Sequence, residues 1–156
     1  MQQHILLTTY CKEKIRTVFP TVPFFMSFVG SSVLDFPSIY FGKSPIGGEA
    51  DRDHPGVLKR FFSLSIEYFF KTSVIEGLSE TETISEVGEN AIKKIRDVIE
   101  CDLTLGDAFS DEVLPDAFKG VFWYVEEETV IPYKELTGDA FVQYRFEYIE
   151  KNGCSC

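Results

Sequence analysis

The sequence predicts an α+β protein: an antiparallel or mixed sheet of about four strands with two helices packed on one face. Three observations carry that expectation. Residues 60–72, RFFSLSIEYFFKT, alternate with a strict period of two. Residues 84–99 repeat apolar side chains at helical spacing behind a capping sequence. Strand-like runs then cluster around that one long helix instead of alternating with helices, and no internal repeat is visible.

In chain order, residues 3–19 read as a first helix. Ile5, Leu6, Tyr10, Cys11, Ile15, Val18 and Phe19 give an approximate 3.6 period, with Lys12, Glu13, Lys14 and Arg16 on the other side. Pro20 and Pro23 end it. A strand is expected near Phe24–Val29 and another near Ser38–Phe41, where Pro37 suits a strand start. Residues 42–56, GKSPIGGEADRDHPG, are rich in Gly, Pro and charge, which predicts a long exposed loop.

In the strand of residues 60–72, Phe62, Leu64, Ile66, Tyr68 and Phe70 share one face. Ser63, Ser65, Glu67 and Lys71 share the other with Phe61 and Phe69. Two readings are open for those two rings: coverage by a helix, such as the first, or a subunit interface, where aromatics are enriched.

Ser79 with Glu82, and Thr83 with Glu86, have capping-box spacing and place the second helix start there. Its stripe is Ile84, Val87, Ala91, Ile95 and Val98, widened by Ile92 and Ile99. Glu89–Lys93 and Arg96–Glu100 are i,i+4 pairs. Gly88 within the helix costs about 1 kcal/mol against Ala unless a neighbour packs closely on it. Gly106 marks a stop, and 107–119 reads as an acidic connector with Pro115. GVFWYVEE (120–127) reads as a strand, 131–139 as a loop or turn, and 140–151 as a last strand. Residues 152–156 read as a flexible tail.

The chain has 156 residues, which suits a single domain over 1–156, and its 15 % aromatic content is enough for a real core. The formal charge of −10 works against gripping nucleic acid, whose affinity depends on Lys and Arg neutralising phosphates. No run of about 18 apolar residues exists, so no membrane helix is expected. The first residues lack the pattern of a secretory signal, and the four cysteines are few and irregularly spaced. The default is therefore a reduced, intracellular protein.

Chemistry-bearing clusters are sparse. Asp51-Arg52-Asp53-His54 offers hard-cation or zinc ligands, but no second cluster has ligand spacing and Arg52 counts against it, so a solvated loop is preferred. Cys154-Ser155-Cys156 reads as a reduced terminus, and Cys11 and Cys101 as small core residues. Glu126, Glu127 and Glu128 are adjacent on a strand, where neighbours point to opposite faces, so they do not form one carboxylate pair. His4 and His54 lie in unrelated segments, and Gly42–Gly48 lacks a following helix start for a phosphate cradle. None of the nucleotide, hydrolase or metalloprotease motifs occurs. No catalytic residue, cofactor or metal is assigned, and the chain is not expected to be an enzyme.

A helix ending in proline, then FPSIYFG, a long loop, RFFSLSIEYFFKT, ETISEVGENAIKKIRDVIECDLTLGD, GVFWYVEEE and VQYRFEYIEKN follow one another over residues 3–151. This order resembles the tail terminator and tail-completion proteins of long-tailed bacteriophages. The resemblance implies a non-catalytic virion protein assembled in the host cytoplasm. Its subunits form a homo-oligomer, a hexameric ring, that docks on the tail-tube protein, stops tube growth and receives the head-completion protein of the neck. DNA would pass through an acidic lumen without specific binding. The residues assigned to interfaces are Phe61, Phe69, Trp123 and Arg145, with Asp51, Arg52 and Asp53 of the loop. Strand edges at 121–125 or 142–148 would extend a sheet between subunits. Other phage neck, connector or baseplate roles are variants of this reading. A separate alternative is an intracellular protein binding a small molecule or metal between its sheet and helices.

Overall fold

The computed structural model describes residues 3–25, 36–50, 52–108 and 120–151. The elements run α1 (Gln3–Val18), β1 (Phe24–Phe25), β2 (Ser38–Lys43), β3 (Gly47–Ala50), β4 (Val57–Lys71), α2 (Glu80–Ala108), β5 (Val121–Pro132) and β6 (Thr137–Lys151). Among the described residues the fold is α+β, with two helices and a mixed six-stranded sheet ordered β1-β2-β4-β6-β5, in which β3 also pairs with β4. The centre is the antiparallel pair of β4 and β6, 15 residues each, in register from Val57 opposite Lys151 to Lys71 opposite Thr137. Alternation in both strands gives each an apolar face and a mixed one, so a single register buries both apolar sets together.

Six strands replace the expected four because one edge is broken. β2 and β3 lie along the same edge of β4. Between Lys43, opposite Leu64, and Gly47, opposite Phe61, the residues Ser44, Pro45 and Ile46 face only Ser63 and Phe62. This is a bulge, at a proline that has no N–H for the ladder. Ser44 compensates: its N–H donates to Ser63 O at 2.9 Å and its Oγ accepts from Ser63 N–H at 2.8 Å. The sixth strand, β1, is a two-residue parallel addition to β2.

The long loop expected over 42–56 is therefore corrected. Gly42 and Lys43 end β2, and Gly47–Ala50 form a strand. Composition hid it because the glycines serve the pairing: a Cβ on Gly47 would collide with the Phe61 ring opposite. The loop expected over 131–139 also shrinks. Ile131 and Pro132 pair with Asp139 and Gly138, leaving a turn at Tyr133–Leu136. Pro132 is tolerated because β5 is an edge strand. The turn closes with Glu135 at φ 60° and Leu136 at φ 57°, conformations usually left to glycine or asparagine.

β4 starts three residues before the expected Arg60 because Val57–Lys59 continue the ladder to β6. Helix α2 runs through Gly106 to Ala108, since a lone glycine weakens a helix without ending it. At the other end Ser79 is the cap, its Oγ accepting from Glu82 N–H at 3.1 Å. The expected strand of residues 24–29 is described only at Phe24–Phe25. Most of the connector 107–119, and the tail 152–156 with Cys154 and Cys156, lie outside the described residues.

Both helices cover the same face of the sheet. Leu7, Cys11 and Ile15 of α1 and Ile84, Ile92, Ile95 and Ile99 of α2 join Phe41, Phe62, Leu64, Ile66, Val142, Tyr144 and Phe146 in one core. Fully burying each large apolar side chain contributes about 1.5–3 kcal/mol. The neighbour that Gly88 requires is Val130 of β5, whose side chain occupies the place of a Cβ. The glycine thus lets α2 approach the sheet edge closely.

Candidate functional site: the outer face of the sheet

Alternation sends Phe61, Ser63, Ser65, Glu67 and Phe69 of β4 away from the helices, beside Phe141, Gln143, Arg145, Glu147 and Ile149 of β6. Phe61 and Phe69 are therefore not covered by α1, one of the two readings left open. Phe69 is buried instead against Tyr40 of β2, ring centroids 5.3 Å apart and edge-to-face. Phe61 is half-buried beneath the Arg145 guanidinium, 4.3 Å from the ring centroid. Such a cation over a ring contributes about 0.5–1 kcal/mol when exposed and more when dry.

Arg145 organises the middle of this face. Its Nε donates to Glu147 Oε1 at 3.2 Å, and Glu147 also meets Lys59 Nζ at 3.3 Å. Glu126 lies 3.9 Å from the Arg145 guanidinium and accepts from Ser63 Oγ and Gln143 Nε2. The ladder between β5 and β6 is irregular at this residue, between Val125 and Glu127. The extra residue explains how Glu126 reaches the outer network while Glu128 turns towards α2. There Glu128 accepts from Arg96 at 2.7 Å, and Arg96 also bonds Glu100 at 3.0 Å. The three consecutive glutamates thus have separate surroundings.

The cleft between α2 and β5, about 700 Å³, is lined by these groups together with Glu89, Ile92, Lys93, Asp97 and Val130. Its charges already face one another: Arg96 with Glu100 and Glu128, and Lys93 with Asp97 at 4.0 Å. With Glu89 added, four acids face two bases, so the lining is acidic on balance.

The outer face also exposes apolar surface. Phe122 and Ile149 are each 61 % exposed, and Tyr124, Ile131 and Tyr133 are also exposed. Phe122 and Tyr124 sit two apart on β5 with ring centroids 5.9 Å apart. β5 is 12 residues long and ends the sheet, so no strand among the described residues pairs with its far side. A long edge strand beside exposed aromatics is a template for another chain.

Next to the β5–β6 turn lies a pair of acids. Glu67 is opposite Phe141 and Asp139 is opposite Phe69, so the two are diagonal neighbours on one face. Asp139 is 4 % exposed. Burial, then the charge of Glu67 and the hydrogen bond between the two carboxyls, push Asp139 up to about 7. Burial also raises Glu67, against the hydrogen bond from Asp139.

The structure gathers some of the sequence-predicted interface residues here. Phe61 and Arg145 touch. Arg52, in the turn joining β3 and β4, borders a recess of about 360 Å³ with Lys59 and Ile149. Asp53 is exposed in the same turn, and Asp51 lies outside the described residues. Trp123 faces the helix side, packed against the core with its ring 6.1 Å from that of Tyr144.

His4 is buried edge-on to Phe62 at 6.4 Å, and burial, Lys43 and Arg60 lower its pKa against the pull of Glu150. No group of three His, Cys, Asp or Glu that could hold a metal occurs among the described residues. Cys11 is buried, its thiol pushed up to about 12 by desolvation. Cys101 is exposed, which corrects its placing in the core: it lies past the apolar stripe, at a recess lined by Lys14, Lys94 and Val98. No helix among the described residues is long and apolar enough to cross a membrane.

The acid pair was not legible in the sequence, because Asp139 fell in an expected loop and only the β4–β6 register unites it with Glu67. Phe122, Tyr124 and Ile149 had a signal: each sits at the polar phase of an alternating strand. No protein-family model matches the chain, and no curated protein matches it significantly.

Proposed function

We propose that this chain is a structural assembly protein of the phage tail terminator kind, whose copies pack into a ring that caps the tail tube and joins it to the head. The observation that carries the reading is the outer surface. Phe122, Tyr124, Ile131, Tyr133 and Ile149 are exposed beside the edge of β5 that no other strand among the described residues pairs. That surface has the chemistry of a subunit contact: aromatic anchors around an arginine, rimmed by charge. The α+β class suits such a subunit. The expected ring is a hexamer. Its partners are the tail-tube protein below and the neck's head-completion protein above, and its place is the virion tail. With each copy at −10, a lumen lined by this chain would let DNA slide without holding it.

Mass photometry and negative-stain imaging of the purified chain, alone and with tail tubes, test this. Rings, or capping of tubes, are expected, and Phe122→Asp with Ile149→Asp is expected to abolish them while the thermal midpoint is kept. A chain that stays monomeric and ignores tubes overturns the reading. Tail-tube and head-completion genes on either side of this one would support it independently.

A further inference from the structure

The acid pair near the end of the β4–β6 ladder asks for its own account. Two ionised carboxylates are both acceptors only, so a hydrogen bond between Glu67 and Asp139 requires that one keeps a proton. Asp139 Oδ1 is buried with no hydrogen-bond partner among the described residues. Among the described residues little else around the pair offsets charge. From β2, Tyr40 faces Glu67 across the ladder. From β4, Lys71 shares the face but is exposed and forms no ion pair among the described residues. From the turn, Tyr133 stands close enough that both acids raise its phenol, after burial. Lys134 and Glu135 are exposed on that turn, and α2, on the opposite face, approaches the neighbouring Gly138 with Ile84.

A second observation falls at the same corner. The turn above the pair holds Glu135 and Leu136 in the left-handed region, a strained conformation for residues with a Cβ. Three bonds fasten it: Tyr133 N–H to Thr137 O at 2.9 Å, Thr72 N–H to Leu136 O at 2.9 Å, and Thr137 Oγ1 to Lys134 O at 2.6 Å. Strain persists only where its surroundings enforce it. The strands that enforce it are the two that carry the acids.

We propose that this corner is a proton-operated latch. One proton shared by Glu67 and Asp139 closes the end of the β4–β6 ladder and holds the strained turn, and its loss sets two negative charges against each other and frees Tyr133–Leu136. Because Asp139 releases its proton near neutrality, the latch works within a range that cells and their surroundings span. The linkage sign follows from a raised acid. Between the ordinary carboxylate range and about 7 the native state binds more protons than the unfolded chain, so stability falls as pH rises through that window. The latch rests on the fold alone, and its carboxyl titration is read without reference to ring assembly, although Ile131 and Tyr133 at this corner also belong to the proposed contact surface.

Amide hydrogen exchange on the full chain, corrected for intrinsic rates and compared at about pH 5.5 and about pH 8.5, tests it. Protection over residues 131–140 is expected to fall about tenfold or more at the higher pH, one pKa unit being tenfold. Asp139→Asn, whose neutral amide can donate to Glu67, is expected to remove that pH dependence, and so is Glu67→Gln. Carbon-13 carboxyl spectra of the unaltered protein are expected to show one of the two acids titrating near neutrality. Exchange that does not change with pH, a dependence that survives both substitutions, or two carboxyls titrating in the ordinary range overturns the latch. If Asp139→Asn fails to fold, Glu67→Gln and the carboxyl spectra decide.

Discussion

On the helix side of the sheet, Phe62, Tyr144 and Phe146 are almost wholly enclosed. One residue along the same strands, Phe61, Arg145 and Glu147 stay half-exposed and tie themselves into a polar network. The backbone is shared, so the difference lies in what each face is given to pack against. Two helices supply a dense apolar lid on one side. On the other, Phe69 and Asp139 are buried towards the β5–β6 turn, while in the partly exposed middle charge, ring and hydroxyl groups satisfy one another. The inner face carries the stability of the fold, while the outer face is free to carry recognition and response to solution conditions.

Substitutions can break this contrast, and the largest effect belongs to the core. Phe146→Ala should cost about 3–5 kcal/mol by urea denaturation, because the cavity lies among side chains that cannot all collapse into it. Phe122→Ala, on the outer face, should stay within about 0.5 kcal/mol. Equal losses would erase the distinction. Gly138→Ala ranks next: its Cβ would lie 2.7 Å from Ile84 and from Phe70, an overpacking worth about 1–3 kcal/mol in the same assay.

The pH dependences of the two faces should then have opposite signs. His4, on the helix side, has a depressed pKa, so the unfolded chain binds more protons, and stability is lost as pH falls below 6.5. Asp139, on the outer side, has a raised one, and stability is lost as pH rises towards 7. The two windows overlap below pH 6.5, so the two contributions offset one another there in urea midpoints measured against pH. His4→Gln should leave a midpoint that falls as pH rises, and Asp139→Asn one that rises. The mildest contrast is Arg145→Ala, expected to cost no more than about 1 kcal/mol for a half-exposed cation, with the thermal midpoint as readout. Peptide mapping after alkylation sharpens the comparison without altering the fold: Cys101 should react in the native state and Cys11 only on unfolding.

The sequence carried the elements whose pattern is long. The period-two run from Arg60, the helix capped at Ser79 and the tight spot at Gly88 were all legible, because each is a local consequence of side-chain spacing. Gly47–Ala50 was not, since glycine-rich strands form by pairing with a neighbour and leave no hydrophobic trace. Nor was the extension of β5 to Pro132, where backbone pairing overrides composition. Of the outer surface, Phe61 and Arg145 were anticipated, and Trp123 fell on the opposite face because alternation places it opposite Phe146. The acid pair depends on a register between distant strands, which no window along the chain contains.

That register has a consequence for how the chain reaches its native state. β5 and β6 are neighbours in sequence and can meet early as a hairpin. β4 cannot join until α2 and β5, which lie between its end at Lys71 and its partner Thr137, have been synthesised and gathered in. The longest ladder of the molecule is thus its least local one, and its closure is the step expected to set the pace of refolding. Until then both long strands expose their phenylalanines, so a slow closure at high concentration would favour aggregation over folding.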